Sequence, residues 1–169
     1  YDLYDLFLEA PPTLVPRYLR CEVAGRMAPD GEELQAFDEQ GFREVARRLI
    51  EDEKVEALAV SFMHSYRNPD HERRARAILT EEFGGTPVTI SSDVAPEIRE
   101  FERTSTTCAN AYVQPLMQSY LARLDQKLRD MGTNGSLYVM LSGGVITTVR
   151  SAQDYPIRLI ESGPAAGAM

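Results

Sequence analysis

Val55-Glu-Ala-Leu-Ala-Val-Ser-Phe-Met63, followed at once by His64-Ser-Tyr-Arg-Asn-Pro-Asp-His-Glu72, decides the fold class of this chain. The first part is a largely apolar run without polar alternation, the pattern of a strand covered on both faces. Asn68-Pro69 then starts a helix, because the Asn side chain caps the first turn and Pro presets its backbone. Gly84-Gly85 closes that helix after Phe83, and Pro87 to Ser91 reads as the next short strand. A covered strand, a helix and a second strand in this order belong to the parallel interior of an α/β sheet.

Upstream, Asp38 caps a helix whose apolar residues Phe42, Val45, Ala46, Leu49 and Ile50 fall at helical spacing. Tyr18 to Val23 reads as a strand, Pro29-Asp30-Gly31 as a turn and Glu33 to Phe37 as a second extended piece, together a hairpin. Tyr1 to Phe7 is also strand-like. Downstream, a long helix is expected from Thr106 to Met131, with Val113, Leu116, Met117, Tyr120, Leu121, Leu124, Leu128 and Met131 along one apolar stripe. Pro115 should kink or restart it. Gly132 ends the helix, Ser136 to Leu141 reads as another buried strand, Ser142-Gly143-Gly144 as a turn, and Ile157 to Ile160 as the last strand. The expected fold is therefore α/β, a layered and mostly parallel sheet with flanking helices, preceded by a small N-terminal β-hairpin region.

Composition narrows the class of partner. The chain has 169 residues, 43% hydrophobic and 26% charged, which suits a soluble globular protein with one good core. No apolar run is long enough to cross a bilayer and no secretory pattern is present, so no membrane partner and a cytoplasmic location are expected. A formal net charge of −8 argues against nucleic acid. Cys21 and Cys108 stand far apart without metal-ligand spacing, so they read as buried thiols and no metal site is assigned.

Ligands of open α/β sheets collect beyond the carboxyl ends of the strands. Three clusters fall there. His64 to Glu72 holds both histidines; capping by Asn68 and hydrogen bonding of the loop are favoured over a metal pair or acid/base role. Ser91 to Thr107 is polar and charged. Its residues read equally as a substrate or domain clamp and as caps and solvated pairs, Asp93 and Thr104 to Thr107 among the caps. Ser142-Gly143-Gly144 permits close backbone approach of a ligand. At the end of the chain, Glu161-Ser-Gly-Pro-Ala-Ala-Gly-Ala-Met169 reads as a small-residue turn into a helix, with packing favoured over phosphate contact on local residues alone. No complete nucleophile set, Walker loop or dinucleotide fingerprint is present.

His64 to Glu72, then Ser92-Asp-Val-Ala-Pro-Glu-Ile-Arg-Glu-Phe-Glu-Arg-Thr-Ser-Thr106, then Glu161-Ser-Gly-Pro-Ala-Ala-Gly167 resembles, in that order, the hydantoinase A/5-oxoprolinase family. Leu14-Val15-Pro16-Arg17 and Asn110-Ala111-Tyr112 are also similar to segments of that family. The resemblance implies an ATP-dependent enzyme that opens a cyclic amide such as 5-oxoproline or an N-methylhydantoin, or alternatively a subunit activating acetone or acetophenone for carboxylation. It implies an ATPase core like that of actin, sugar kinases and heat-shock chaperones, with ATP and magnesium held by Asp-x-Gly-Gly-Thr turns outside this sequence. A second large subunit of hydantoinase B type is the implied partner; a non-catalytic docking module is the rival reading. On this footing the chain is expected to be an internal piece of a longer protein, inactive alone. Its expected divisions are a hairpin region at 1–37 and an α/β part at 38–105, both of the N-terminal hydantoinase/oxoprolinase region, then the start of the catalytic region at 106–169. Glu102, Arg103, Thr104 and Ser105 are expected near the substrate or domain cleft. Ser142, Gly143 and Gly144 are expected to line that cleft, with Ser162, Gly163, Ala165 and Gly167 near phosphate.

Overall fold

Two short parallel strands and the helices on their two faces organise the chain. The computed structural model describes residue 7 and residues 12–168; the strand-like reading of Tyr1 to Phe7 otherwise lies outside the described residues. A short hairpin pairs β1 (Arg26–Met27) with β2 (Glu33–Gln35), antiparallel. Helix α1 (Glu39–Arg47) follows and continues as one π-helical stretch, Arg48–Asp52. Asp38 Oδ1 accepts from the Gly41 N–H at 3.0 Å, as the cap reading requires. Gly41 is what admits this cap, since a Cβ there would lie 2.3 Å from Asp38 Oδ2.

Strand β3 (Leu58–Val60), helix α2 (Asp70–Glu82) and strand β4 (Val88–Ile90) form the expected parallel unit, with Leu58 opposite Val88 and Val60 opposite Ile90. The side chains alternate as strand geometry demands. Val60 and Ile90 join Phe37, Phe42, Ala46, Ala75, Ile78 and Leu79 in the core, whereas Thr89 points to the opposite face. That face is covered by the long helix α4 (Glu100–Asp130), reached through the short helix α3 (Ser91–Val94). The remainder is a hairpin of β5 (Tyr138–Met140) and β6 (Ile146–Thr148), then α5 (Val149–Asp154), a 3-10 turn Pro156–Leu159 and α6 (Ser162–Gly167).

Several expectations are corrected. Among the described residues the strands form three separate two-stranded sheets, of which only β3–β4 is parallel, so the architecture is mixed α/β with small sheets rather than one mostly parallel layer. The segment expected as a strand from Tyr18 to Val23 begins with a 3-10 turn, Arg17–Leu19, held by the Arg20 guanidinium on the Val15 carbonyl at 2.8 and 3.0 Å. Ile157 to Ile160 is not a strand. Pro156 opens a 3-10 turn there, and the Ile157 N–H donates to Asn110 Oδ1 rather than to a neighbouring strand. The strand within Ser136 to Leu141 is an arm of an exposed hairpin rather than a buried strand, since Tyr138 and Ile146 are both more than half exposed. Cys21 and Cys108 are half-buried free thiols rather than fully buried ones.

Helix α4 starts at Glu100, not Thr106, and runs through Pro115 without a break. The expected stripe is only partly inward: Leu121 is buried and Val113, Met117, Leu124 and Leu128 are half-buried, but most of the buried face is polar. Leu116, Tyr120 and Met131 are exposed, while Arg103, Thr107, Asn110, Ala111, Gln114 and Leu121 are buried. A helix can bury polar side chains only where each finds a partner. Here Asn110 and Gln114 donate to the Asp154 carbonyl at 3.1 and 3.2 Å, and the Thr107 hydroxyl donates back to the Arg103 carbonyl at 2.7 Å.

Candidate functional site

The carboxyl ends of β3 and β4 lie side by side, and the loops leaving them are tied together by buried polar groups. Glu72, in the first turn of α2, is fully buried. Its Oε1 accepts from the Phe62 N–H at 2.8 Å and from the Ser91 hydroxyl at 2.6 Å, and its Oε2 from the Ser92 N–H at 2.8 Å. One carboxylate thus joins both strand ends. Arg103 Nε donates to Ser91 Oγ at 3.1 Å. Because the Ser91 proton goes to Glu72, the Ser65 hydroxyl 3.0 Å away must donate to Ser91. The arrangement is a charge relay of fixed direction: guanidinium, hydroxyl, carboxylate.

Arg103 extends this scaffold to the surface. Its Nη2 donates to the Phe62 carbonyl at 2.9 Å and its Nη1 to the Glu97 carbonyl at 3.0 Å, so a single guanidinium spaces the loop after β3 from the loop before α4. Each of those loops carries a residue in the left-handed region, His64 at φ 55° and Arg99 at φ 84°. Non-glycine residues held there cost about 1–3 kcal/mol each and persist where surrounding contacts over-determine them. The Tyr66 ring receives the Arg103 guanidinium on its face, 5.5 Å from the centroid, and meets the His64 ring edge-on at 6.0 Å.

His64 and Glu100 close the rim. The His64 Nδ1 is buried without a hydrogen-bond partner and lies 3.7 Å from Glu100 Oε1. Burial pushes the Glu100 carboxyl upward, but the backbone N–H groups of Glu100 and His64, with Arg103 and His64 themselves, outweigh it and hold the pKa below the usual value. Beside this pair the Thr104 and Ser61 hydroxyls are hydrogen-bonded at 2.8 Å. The rim therefore presents an imidazole backed by a carboxylate, next to two hydroxyls, over a rigid buried base.

The expected site residues are distributed unevenly over this geometry. Arg103 is buried in the base, and Thr104 is half-buried against Ser61. Glu102 is exposed and pairs with Arg99 at 3.7 Å, and Ser105 is exposed. Thr106 and Thr107 bond backward to carbonyls within α4, and Asp93 pairs with Arg76, so these are not helix caps. The histidines have different partners: His71 Nε2 lies 2.6 Å from Glu33 Oε1 with its ring edge-on to Phe62, whereas His64 Nδ1 lies 3.7 Å from Glu100 Oε1. Among the described residues no group of three or more His, Cys, Asp or Glu could hold a metal ion.

Ser142, Gly143 and Gly144 form the β5–β6 turn, and α6, with Ser162, Gly163, Ala165 and Gly167, packs against β5. No hydrogen bond or ion pair among the described residues joins this group directly to Glu102–Ser105. Arg158 links it to the strand ends instead. Its carbonyl accepts from the Ser142 N–H at 2.9 Å, and its Nη2 donates to the carbonyls of Asp93 and Val94 at 3.3 and 3.1 Å. Glu72, Ser91, Arg158 and the His64–Glu100 pair were missed as a constellation. The detectable signal was a Glu in the first turn of a helix that follows a covered strand, where a carboxylate meets free strand-end amides.

Comparison with known proteins assigns this geometry to a family. The family model described as the hydantoinase/oxoprolinase N-terminal region matches residues 1–83, and that described as hydantoinase/oxoprolinase matches residues 103–169. The chain belongs to the hydantoinase/oxoprolinase family. An uncharacterized protein of Methanocaldococcus jannaschii is 41% identical over 99% of this chain and 24% of its own length. The caprolactamase alpha subunit of Pseudomonas jessenii is 35% identical over 96% of this chain and 23% of its own. The acetone carboxylase beta subunit of Xanthobacter autotrophicus is 32% identical over 92% of this chain and 22% of its own. Solved structures agree: the ATP-dependent caprolactamase of P. jessenii superimposes with a TM-score of 0.88 at 34% identity, covering 96% of this chain and 23% of that one. A nucleotide-free acetone carboxylase does so with a TM-score of 0.83 at 32% identity, covering 95% and 23%. The chain spans about a quarter of the length of these relatives. No helix among the described residues is long and apolar enough to cross a membrane.

Proposed function

We propose that this chain forms part of an ATP-dependent enzyme that opens a cyclic amide, as the hydantoinase/oxoprolinase reading implies. The observation that carries the reading is the match to the caprolactamase alpha subunit over 96% of the chain, in sequence and in fold. A ring amide is a poor electrophile, and phosphorylation of its oxygen supplies the leaving group that hydrolysis needs. The matched acetone and acetophenone carboxylase subunits favour a second reading, in which the same activation serves a ketone.

Within this proposal the actin-like core, ATP and magnesium belong to the whole protein, as does a second large subunit of hydantoinase B type, and the setting is cytoplasmic. The divisions at 1–37, 38–105 and 106–169 are its working boundaries. The turn at Ser142–Gly144 and the start of α6 suit a phosphate, because a Cβ added at Gly143, Gly163 or Gly167 would meet open space, leaving their backbone approachable. The described residues hold no cluster of three or more His, Cys, Asp or Glu, so no all-protein metal cage is built here, and magnesium is assigned with the phosphate turns of the whole protein. Bound nucleotide would supply the phosphoryl group, and Ser142, Gly143, Gly144, Ser162, Gly163, Ala165 and Gly167 would lie against it. Glu102, Arg103, Thr104 and Ser105 would line the substrate cleft, with Arg103 acting from below as a spacer of its two walls.

The test is phosphate release from ATP by the whole protein in the presence of ε-caprolactam, 5-oxoproline, hydantoins, or acetone with bicarbonate. Stimulation by a ring amide supports the first reading and stimulation by the ketone alone the second. Silence with all of them refutes both and leaves the rim a docking surface.

A further inference from the structure

We propose that His64 is a general base that takes, through Nε2, the proton on the atom next to the carbonyl of a small substrate, while Glu100 holds the other ring nitrogen. The inference rests on the reading above. It is argued from five features of the rim. His64 leaves the carboxyl end of β3, where α/β sheets place their ligands. Its backbone is held at φ 55°, with its carbonyl accepting from the Arg67 and Asn68 N–H groups at 2.9 and 3.2 Å. Glycine would make that turn without strain, so the imidazole is what the position retains at a steric cost. The Nδ1 is enclosed and faces only the Glu100 carboxylate, whereas Nε2 has no partner within the fold and is not enclosed. Glu100 is in turn within 3.5 Å of the buried Arg103, which also holds the carbonyl of Phe62 just before His64.

Glu100 Oε1, at 3.7 Å short of a hydrogen bond in this structure, is placed to receive a hydrogen on Nδ1 as the pair tightens and to stabilise the imidazolium once formed. The step balances without any further reactant. The N–H bond of a ring amide, or the α C–H bond of a ketone, breaks and its proton joins Nε2. The electron pair left behind forms the C=N or C=C bond, and the carbonyl π pair moves to oxygen, which becomes the nucleophile. One base thus serves both substrate classes, because both carry the acidic proton on the atom beside the carbonyl. The charged and titratable groups facing His64 are Glu100 from α4 and Tyr66 from its own loop, with Arg103 behind both. Glu100 is a positioning residue.

The experiment uses the whole protein carrying this sequence. H64N keeps a residue that tolerates the left-handed backbone and a donor toward Glu100, but deletes Nε2. Turnover should fall about 10²- to 10⁴-fold with an unchanged urea midpoint, and added imidazole should restore part of it in H64G. E100Q should lower kcat with little change in KM, since Glu100 faces the imidazole and not the substrate. Turnover of H64N within about threefold of wild type overturns the proposal while ring-amide-stimulated phosphate release in wild type still supports the reading it rests on. The second measurement is the ¹⁵N spectrum of the ring nitrogens, assigned by difference from H64N. Hydrogen on Nδ1 of His64 supports the pair even if no ring amide or ketone stimulates phosphate release; hydrogen on Nε2 refutes it whatever the activity.

Discussion

Glu72→Gln should destabilise the protein by about 3 kcal/mol, a large loss for a change of one atom. Glu72 is fully buried and accepts three hydrogen bonds, two of them from backbone N–H groups on different oxygens. If the amide keeps its oxygen toward Phe62 and Ser91, its NH₂ is driven against the Ser92 N–H at what was a 2.8 Å contact. A charge-assisted hydrogen bond is worth about 1.5–3 kcal/mol, and the buried N–H left behind adds the cost of an unsatisfied donor. The two surviving bonds lose their ionic component, and Arg103 loses the counter-charge it reaches through Ser91. Flipping the amide is worse, because it sets NH₂ against two donors. The partner variant Arg103→Met should cost a similar amount by orphaning the Phe62 and Glu97 carbonyls. The double variant should then be less destabilised than the sum of the singles by at least about 1 kcal/mol, because neither charge remains unpaired. Urea unfolding read by two probes measures all three. A loss below about 0.5 kcal/mol for E72Q, or additivity within about 0.5 kcal/mol, refutes the relay.

Asp38→Ala should cost about 1 kcal/mol by removing the cap of α1. Gly41→Ala should destabilise the wild type, whose Asp38 Oδ2 it would meet at 2.3 Å, yet stabilise the D38A background by up to about 1 kcal/mol of helix propensity; an equal effect in both backgrounds contradicts the cap geometry. The Glu100 pKa is held below its unfolded value, so its contribution is fully present above the unfolded pKa of about 4.3 and is lost as pH falls through the folded one. The stability gap between wild type and E100Q should therefore shrink as pH is lowered from about 6 to about 3 in urea melts; a constant or widening gap argues against the pairing. The 169-residue chain alone should give no heat on titration with Mg-ATP, because the proposal puts the Asp-x-Gly-Gly-Thr phosphate turns outside this sequence; tight binding would overturn the division of the nucleotide site set out above.

The parallel unit, its flanking helices and the Asp38 cap were legible because each rests on local signals: an unbroken apolar run, Asn-Pro at a helix start, Gly-Gly at its end. The hairpin turn at Pro29–Gly31 was legible, but its first strand was placed too early, since Arg20 folds back on Val15 by a side-chain bond that periodicity does not register. Ile157 to Ile160 looked like a strand from its branched residues, and the deciding contact, Ile157 N–H to Asn110, spans 47 positions. The candidate site was half legible. Its residue types were quoted in two motifs, but the pairing of His64 with Glu100 and of Glu72 with Ser91 comes from tertiary packing, which no spacing rule encodes.

Helix α4 explains why the most function-bearing part was read least well. An apolar stripe was expected to face the core, yet the helix buries Arg103, Thr107, Asn110 and Gln114 and leaves Tyr112, Leu116 and Tyr120 outward. Apolar contacts tolerate a small slide or rotation, because they depend on area more than direction. Hydrogen bonds do not, because they weaken steeply with misalignment. Asn110 is fixed at three points, donating to Thr89 Oγ1 and the Asp154 carbonyl and accepting from Ile157, while Arg103 is fixed on two carbonyls and a hydroxyl. These bonds set the register of α4 against both strand ends, and Glu100 lies one turn before Arg103 on the same rod. The polar face thus fixes where the Glu100 carboxylate stands relative to His64, something an apolar stripe would hold only loosely. The buried polar face that misleads a periodicity argument is the same feature that gives the rim its geometry.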